Sequence, residues 1–289
     1  MDASSRIELA LETAVRRVEV PECPLRLAAA IRFAIFPCGA RIRPRLCLAV
    51  ARACGDDQPL LTDAAAASVE LMHCASLVHD DMPCFDDAST RRGKPTVHKA
   101  FGQSLALLTG DAMIVMAFDN LARNASAAPE RLAGLVSLLA RATGAPSGII
   151  AGQAWECEPQ ISVSEYHKAK TGSLFAAATI AGALAAGESP HGWRILGERI
   201  GEAYQVADDI QDAVSDAESC GKPCGQDILH DRPSATRELG LDGAVDRLKR
   251  LVTEAVESIP PCRNAAELRG VIMAESKRFV PRSVGRYVA

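Results

Sequence analysis

The stretch LVHDDMPCFDDASTRRGKPT, from Leu77 to Thr96, sets Asp80, Asp81, Asp86 and Asp87 within eight residues and follows them with Arg91, Arg92 and Lys94. Like charges this dense repel one another, so the segment is either a solvated loop or a holder for something positive. Pro83 disfavours helical geometry for the residue before it. That places Asp80 and Asp81 at the C-terminal end of a helix over about 61–82, where paired carboxylates oppose the helix dipole. A second cluster, YQVADDIQD from Tyr204 to Asp212, tips the choice away from decoration. Its Asp208 and Asp212 are four apart and share one face of an otherwise apolar helix.

Working outward, apolar residues recur at spacings of three and four in segment after segment, alanine and leucine dominate, and aromatics make up only 4%. The pattern predicts helices over about 4–18, 25–36, 42–54, 61–82, 102–123, 129–143, 163–186, 191–216, 242–257 and 264–278, with strand signals almost absent. No segment between 150 and 230 reads as a linker and no internal period emerges. The expectation is one all-α domain over 1–289, a bundle of about ten or more helices around a central cavity.

Composition narrows the function. A net charge of −4 with a pI near 5.9 argues against a nucleic-acid binder, which needs a basic face. The ten cysteines form no C-x-x-C pair, and Cys220 and Cys224 have no matching second pair, so they read as reduced thiols of a cytoplasmic protein. The N-terminus has no apolar run of secretory type. The apolar stretch Leu174–Gly187 is shorter than the roughly 20 residues of a membrane span, so no transmembrane segment is expected.

Paired carboxylates removed from water raise one another's pKa unless a cation intervenes, and Mg²⁺ takes all-oxygen ligands while bridging carboxylates to phosphates. Basic residues complete that picture: Arg41 and Arg43 in CGARIRPR, Arg91 and Arg92, Lys170 in AKTGSLF and Lys222 in GKPCGQD. Guanidinium forks suit phosphate oxygens and lysines supply point charges. His73 and His79 are six apart and do not share a helix face, so a two-histidine metal site is not expected. No convincing Ser-His-Asp or Cys-His set offers a nucleophile.

Together these blocks resemble the trans-isoprenyl diphosphate synthases, the head-to-tail prenyltransferases. HDDMPCFDDASTRRGKPT is similar to the family's first aspartate-rich motif and YQVADDIQD to the second, while CGARIRPRL, LLTGDAMI, AGQAWE, KTGSLF and GKPCGQD resemble further blocks in order, over about residues 25–235. The resemblance implies that Asp80, Asp81, Asp86, Asp208 and Asp212 bind Mg²⁺, three ions with bound diphosphate, with Asp209 supporting them through water. It implies that Arg91, Lys170 and Lys222 hold the allylic diphosphate (dimethylallyl, geranyl or farnesyl), and that Arg43, His73 and Arg92 hold isopentenyl diphosphate. Thr171 and Gln205 match residues whose dipoles face the developing carbocation, and a homodimer is the implied assembly. Where the family usually reads G-G-K-R-L-R-P, this chain reads Cys38-Gly39-Ala40-Arg41-Ile42-Arg43-Pro44, so a common lysine is Ala40, and a later lysine is replaced by Arg232.

Product length can be argued from what lies under the first aspartates. At 1.5 Å per residue, Ala75 sits roughly 7.5 Å below Asp80, in the path of a growing tail, with Ser76 beside it. An aromatic there would close the pocket; a methyl group leaves it open. Met72, Leu71, Met113 and Met116 are the expected deeper floor. The expected product is C20, geranylgeranyl diphosphate, as in bacterial carotenoid-pathway enzymes that the block resembles. Alternatives are a C15 farnesyl diphosphate synthase and a non-catalytic regulatory subunit of a prenyl synthase. A terpene cyclase would not need the Arg43, His73 and Arg92 set.

Overall fold

The computed structural model of the protein describes residues 1–36, 39–160, 165–166, 168–214 and 234–279. Among them are twelve α-helices: α1 (Ala3–Arg16), α2 (Leu25–Ile35), α3 (Ile42–Cys54), α4 (Pro59–Asp80), α5 (Val97–Phe101), α6 (Gln103–Asn124), α7 (Pro129–Thr143), α8 (Ile149–Ala154), α9 (Ser173–Ala185), α10 (Trp193–Val214), α11 (Ala235–Glu257) and α12 (Ala265–Phe279). A two-residue ribbon pairs β1 (Thr90–Arg91) antiparallel with β2 (Lys94–Pro95). The architecture is the expected all-α bundle.

Local signals in the chain set several helix starts. Asp2 caps α1 by accepting the Ser5 N–H at 2.9 Å, Pro59 opens α4 where no N–H partner is needed, and Ser234 caps α11. Helix α4 ends at Asp80, two residues ahead of the Met82–Pro83 boundary that marks its limit.

At the centre runs α9, nearly all of it buried and apolar on every side. Its small residues let neighbouring backbones come close. A Cβ on Gly182 would lie 2.3 Å from the Cys47 carbonyl of α3, and one on Gly197 of α10 would lie 2.5 Å from the Ala176 Cα. Both crossings therefore require glycine. Helices α4 and α6 pack along their length and are tied by buried polar contacts: Ser68 donates to the Ala117 carbonyl at 2.8 Å and Asn120 to the Ala64 carbonyl at 3.0 Å.

Helices α5 and α8 fall outside the expected set, and four further details depart from the sequence reading. The helix expected over 163–186 is α-helical only from Ser173; Lys168–Gly172 form a π-helical turn, a local widening that recurs at functional sites. The ribbon was not foreseen. Its turn, Arg92 at φ 54° and Gly93 at φ 74°, takes the left-handed pair of angles that matches strand twist in tight hairpins. Arg41 also leaves the expected phosphate site: it points into the core, where it pairs with Glu70 at 2.8 Å and Glu8 at 2.9 Å and donates to the Ile35 carbonyl. Finally, α6 is long and apolar enough to cross a membrane by length and composition. Its inner face, with the hydrogen-bonded Asn120, packs against α4 as a bundle helix.

Candidate active site

A cavity of about 750 Å³ opens between the C-terminal end of α4, the ribbon, α6, α8, the π turn and α10. By chemistry its lining divides into a charged mouth of Asp80, Arg91, Lys170 and Asp208, a second lobe of Arg43, His73 and Arg92, and a mostly apolar depth of Met72, Ala75, Ser76, Ile114, Thr143 and Ile149. Most residues singled out in the sequence are thus brought together, from α3, α4, the ribbon, the π turn and α10. Lys222 lies outside the described residues, as do Arg232, Cys38, Cys220 and Cys224.

At the mouth the carboxylates of Asp80, Asp86 and Glu156 each offer an oxygen, all within 4.8 Å of one another. The Lys170 ammonium joins this group, 3.2 Å from Asp80 and 2.5 Å from Glu156. Burial works against its charge, but Asp80, Tyr166 and Glu156 outweigh burial and hold its pKa above the ordinary lysine value. Glu156 also accepts from the Tyr166 hydroxyl at 2.7 Å and the Gln153 amide at 3.0 Å. In the sequence Glu156 lies within AGQAWE. A lone glutamate beside an aromatic carries no local signal of its own.

Asp81 is buried and gripped by Arg91, whose Nε donates to both carboxylate oxygens at 2.8 and 2.9 Å and whose Nη2 lies 2.7 Å from Oδ1. Burial pushes the Asp81 pKa up, Arg91 opposing and Asp80 and Asp86 adding to it. Arg91 is itself raised, Asp81 outweighing the cost of burial. Asp87, the fourth aspartate, stays at the surface and pairs with Lys99 at 3.1 Å. For that residue the solvated-loop reading is the right one.

In the second lobe, the Arg43 guanidinium stacks 4.3 Å from the Phe175 ring centre, buried, with an Nε that has no hydrogen-bond partner. Burial lowers its pKa from the usual arginine value. A Cβ on Gly39 would come within 2.3 Å of the Arg92 Cζ, so Gly39 is the floor on which that guanidinium rests. His73 faces the cavity, and burial followed by repulsion from Arg43, Arg92, Arg91 and Arg41 holds its pKa well below 6.5, leaving the ring neutral. His79 also lines the cavity. Its imidazole lies over Gly110 and its Nε2 is 3.2 Å from the Leu107 carbonyl.

Beneath Asp80, Ala75 is buried on the cavity wall with Met72 and Ser76. Of the foreseen floor of Met72, Leu71, Met113 and Met116, Met72 lines the cavity, while Leu71 and Met113 are buried in the core and Met116 packs against it; Ile114, Thr143 and Ile149 line the depth instead. The register of α6 decides this, since Met113 faces inward and Ile114 is its neighbour. On α10, Asp208 faces the cavity and Asp212 lies one turn on, half-buried. Asp209 has direct protein donors, the Gln205 amide at 3.0 Å and the Ala235 N–H at 2.7 Å. The cysteines among the described residues are free thiols, with Cys84 and Cys157 exposed.

An all-helical bundle whose two aspartate-rich helix ends meet a cluster of cations over a deep apolar cavity defines the isoprenoid-synthase class of fold. The chain belongs to the polyprenyl synthetase family, which it matches over residues 25–267. It is 55% identical over 288 residues to a geranylgeranyl diphosphate synthase of Cereibacter sphaeroides, covering 100% of both chains. It is 48% identical to a geranylgeranyl diphosphate synthase of Rhodobacter capsulatus, covering 99% of this chain and 100% of that one. The geranyltransferase of Helicobacter pylori, solved complexed with magnesium and isoprenyl diphosphate, is 27% identical with a TM-score of 0.77, covering 94% of this chain and 96% of that one.

Proposed function

We propose that this protein is a Mg²⁺-dependent trans-prenyltransferase that condenses isopentenyl diphosphate head to tail with allylic diphosphates and releases geranylgeranyl diphosphate, C20, for carotenoid and related isoprenoid synthesis. The observation that carries the reading is a juxtaposition. The Asp80 carboxylate and the Lys170 ammonium stand at the mouth of a cavity whose wall below them is Ala75, open to about 750 Å³. The geranylgeranyl diphosphate synthases at 55% and 48% identity support the same product.

The chemistry needs a leaving diphosphate, a stabilised allylic cation and a second diphosphate held beside it. Lys170 and Arg91, with Lys222, would hold the allylic diphosphate. Arg43, Arg92 and the neutral His73, which donates a hydrogen bond without adding charge, would hold isopentenyl diphosphate. Stabilising charge as it develops on the leaving group is the largest contribution asked of such a site. The donor set of Asp80, Asp86 and Glu156, all carboxylate oxygens, suits a hard divalent cation. Asp80, Asp81, Asp86, Asp208 and Asp212 would hold Mg²⁺, three ions with bound diphosphate, and the metal supplies charge neutralisation. Thr171 and Gln205 present oxygens to the cation, and no protein nucleophile is required.

A homodimer and a cytoplasmic setting belong to the same proposal. The outer face of α6 leaves Leu107, Leu108 and Val115 exposed, an apolar face that a second copy would cover. The test is an incubation of purified protein with Mg²⁺, isopentenyl diphosphate and each of three allylic primers, with alcohols sized after dephosphorylation. A dominant C20 alcohol that is lost on Asp80→Ala supports the proposal. A C15 stop moves the reading to a farnesyl diphosphate synthase, and no condensation with any primer moves it to a regulatory subunit.

A further inference from the structure

Four groups form a directed hydrogen-bond chain behind the cavity wall. The Ala235 N–H, at the first residue of α11, donates to one Asp209 oxygen at 2.7 Å; the Gln205 side-chain nitrogen donates to the other at 3.0 Å; and the Thr171 hydroxyl donates to the Gln205 carbonyl oxygen at 3.3 Å. Asp209 is buried, while Gln205 and Thr171 line the cavity. A carboxylate only accepts hydrogen bonds, so Gln205 has to turn its NH₂ towards it. The amide oxygen then faces Thr171, whose own proton is drawn to that oxygen, and both residues show lone pairs to the cavity.

We infer that Asp209 is the positioning residue that fixes the polarity of Gln205 and Thr171 towards the reacting carbons. An amide can sit either way round in the same space, and the two orientations differ only in which end meets its neighbours. Were Gln205 reversed, its NH₂ would donate to the Thr171 oxygen and the hydroxyl proton would turn into the cavity. One flip would thus present the positive ends of two dipoles to a site where an allylic cation forms. The inference rests on the prenyl-transfer reading above and adds to it a role for the middle aspartate distinct from holding metal.

The chain also dictates how to break it. Asp209→Asn has one acceptor and one donor end, and the backbone N–H of Ala235, which cannot rotate away, claims the acceptor. The donor end then faces Gln205 and forces the flip. Ala235→Pro removes that N–H at a first-turn position where proline is favoured, and Ser234 before it is already extended (φ −133°, ψ 149°), as proline requires. In the double variant the asparagine oxygen is free to accept from Gln205 again, while its amide faces a polar cavity on the other side of Thr171 and Gln205, lined also by Ser234, Glu238 and Lys168.

The experiment measures steady-state turnover of the full chain with Mg²⁺, isopentenyl diphosphate and farnesyl diphosphate for wild type, D209N, A235P and D209N/A235P, with thermal melts alongside. Expected are a kcat for D209N lower by roughly 100-fold, the low end of what losing one oriented dipole costs, and KM values for both diphosphates within about threefold of wild type. A235P should stay within about threefold of wild type throughout, and D209N/A235P should recover at least about tenfold over D209N. A D209N enzyme within twofold of wild type, a loss that appears in KM instead of kcat, or a double variant no faster than D209N would overturn the inference. If D209N does not fold, the double variant is read alone: kcat within about tenfold of wild type supports the positioning role and a larger loss overturns it. A wild-type protein that makes no product sinks the prenyl-transfer reading itself, a result separate from all of these.

Discussion

Replacing Ala75 by phenylalanine tests the link from one side chain to product length. Ala75 is buried to 1% exposure yet lines the cavity, about 7.5 Å below Asp80 along α4 by helix rise. A phenyl ring there has open volume to enter, so the overpacking penalty of about 1–3 kcal/mol for a filled core should not arise. The ring would instead displace the last five-carbon unit of a bound farnesyl tail. At about 0.8 kcal/mol per buried carbon that unit contributes about 4 kcal/mol, or roughly three orders of magnitude in kcat/KM for elongating a C15 primer. The first condensation, on dimethylallyl diphosphate, does not reach that depth and should change by less than about threefold. The assay is product sizing after dephosphorylation, with dimethylallyl and farnesyl diphosphate as separate primers, supported by thermal melts. A75F that still elongates farnesyl diphosphate at the wild-type rate would refute the placement of the growing chain against Ala75.

Lys170→Met removes the ammonium between Asp80 and Glu156 and should lower kcat by roughly 10²- to 10³-fold, with KM for isopentenyl diphosphate within a few-fold in steady-state assays. Gly39→Ala brings a methyl group to within 2.3 Å of the Arg92 Cζ; because the guanidinium is the end of a flexible chain it moves away at little cost in stability. Losing its charge-assisted hydrogen bond should raise KM for isopentenyl diphosphate about 10- to 100-fold, and an unchanged KM would remove Arg92 from that subsite. His73, held well below 6.5 when folded, makes stability fall as pH drops through that value, because the unfolded chain then binds a proton that the folded chain refuses. Urea unfolding between pH 7.5 and 5 should show that loss, at up to about 1.4 kcal/mol per pH unit, and His73→Gln should remove it.

The helical period and the two aspartate clusters were legible because they rest on spacing alone: Pro83 bounds α4, and residues 208 and 212 share a face whatever packs against them. What could not be read is which way a charged side chain turns once the bundle closes. Arg41 and Arg43 look alike in CGARIRPR, but Arg41 sits at φ 50° ahead of α3 and reaches Glu70 in the core, while Arg43 stacks on Phe175 at the cavity. Glu156 and Asp87 exchange expectations in the same manner. The aspartate in the dense cluster is exposed, and the glutamate of AGQAWE joins the carboxylates at the mouth. The π turn that carries Lys170 and Thr171 adds a shift that a constant helical period cannot express. Met113 and Ile114 show how finely this operates, since one residue of register on α6 separates core from cavity.

Four aspartates in eight residues posed the problem of what offsets their repulsion, and the fold answers it with unlike charges brought from a distance. Arg91 neutralises Asp81 across ten residues, and Lys170 neutralises Asp80 across ninety. Asp81 nonetheless keeps a raised pKa, because burial and its neighbours Asp80 and Asp86 outweigh a single guanidinium. A carboxylate in that position gains from further positive charge. The opposite holds in the second lobe, where Arg43 and Arg92 and a neutral His73 gather with repulsion between them. One lobe thus favours a cation and the other an anion, a few side chains apart on the same wall. A metal-bound diphosphate beside a second, metal-free diphosphate satisfies both, which is why the two halves of the charge pattern are best explained by one reaction with two diphosphate substrates.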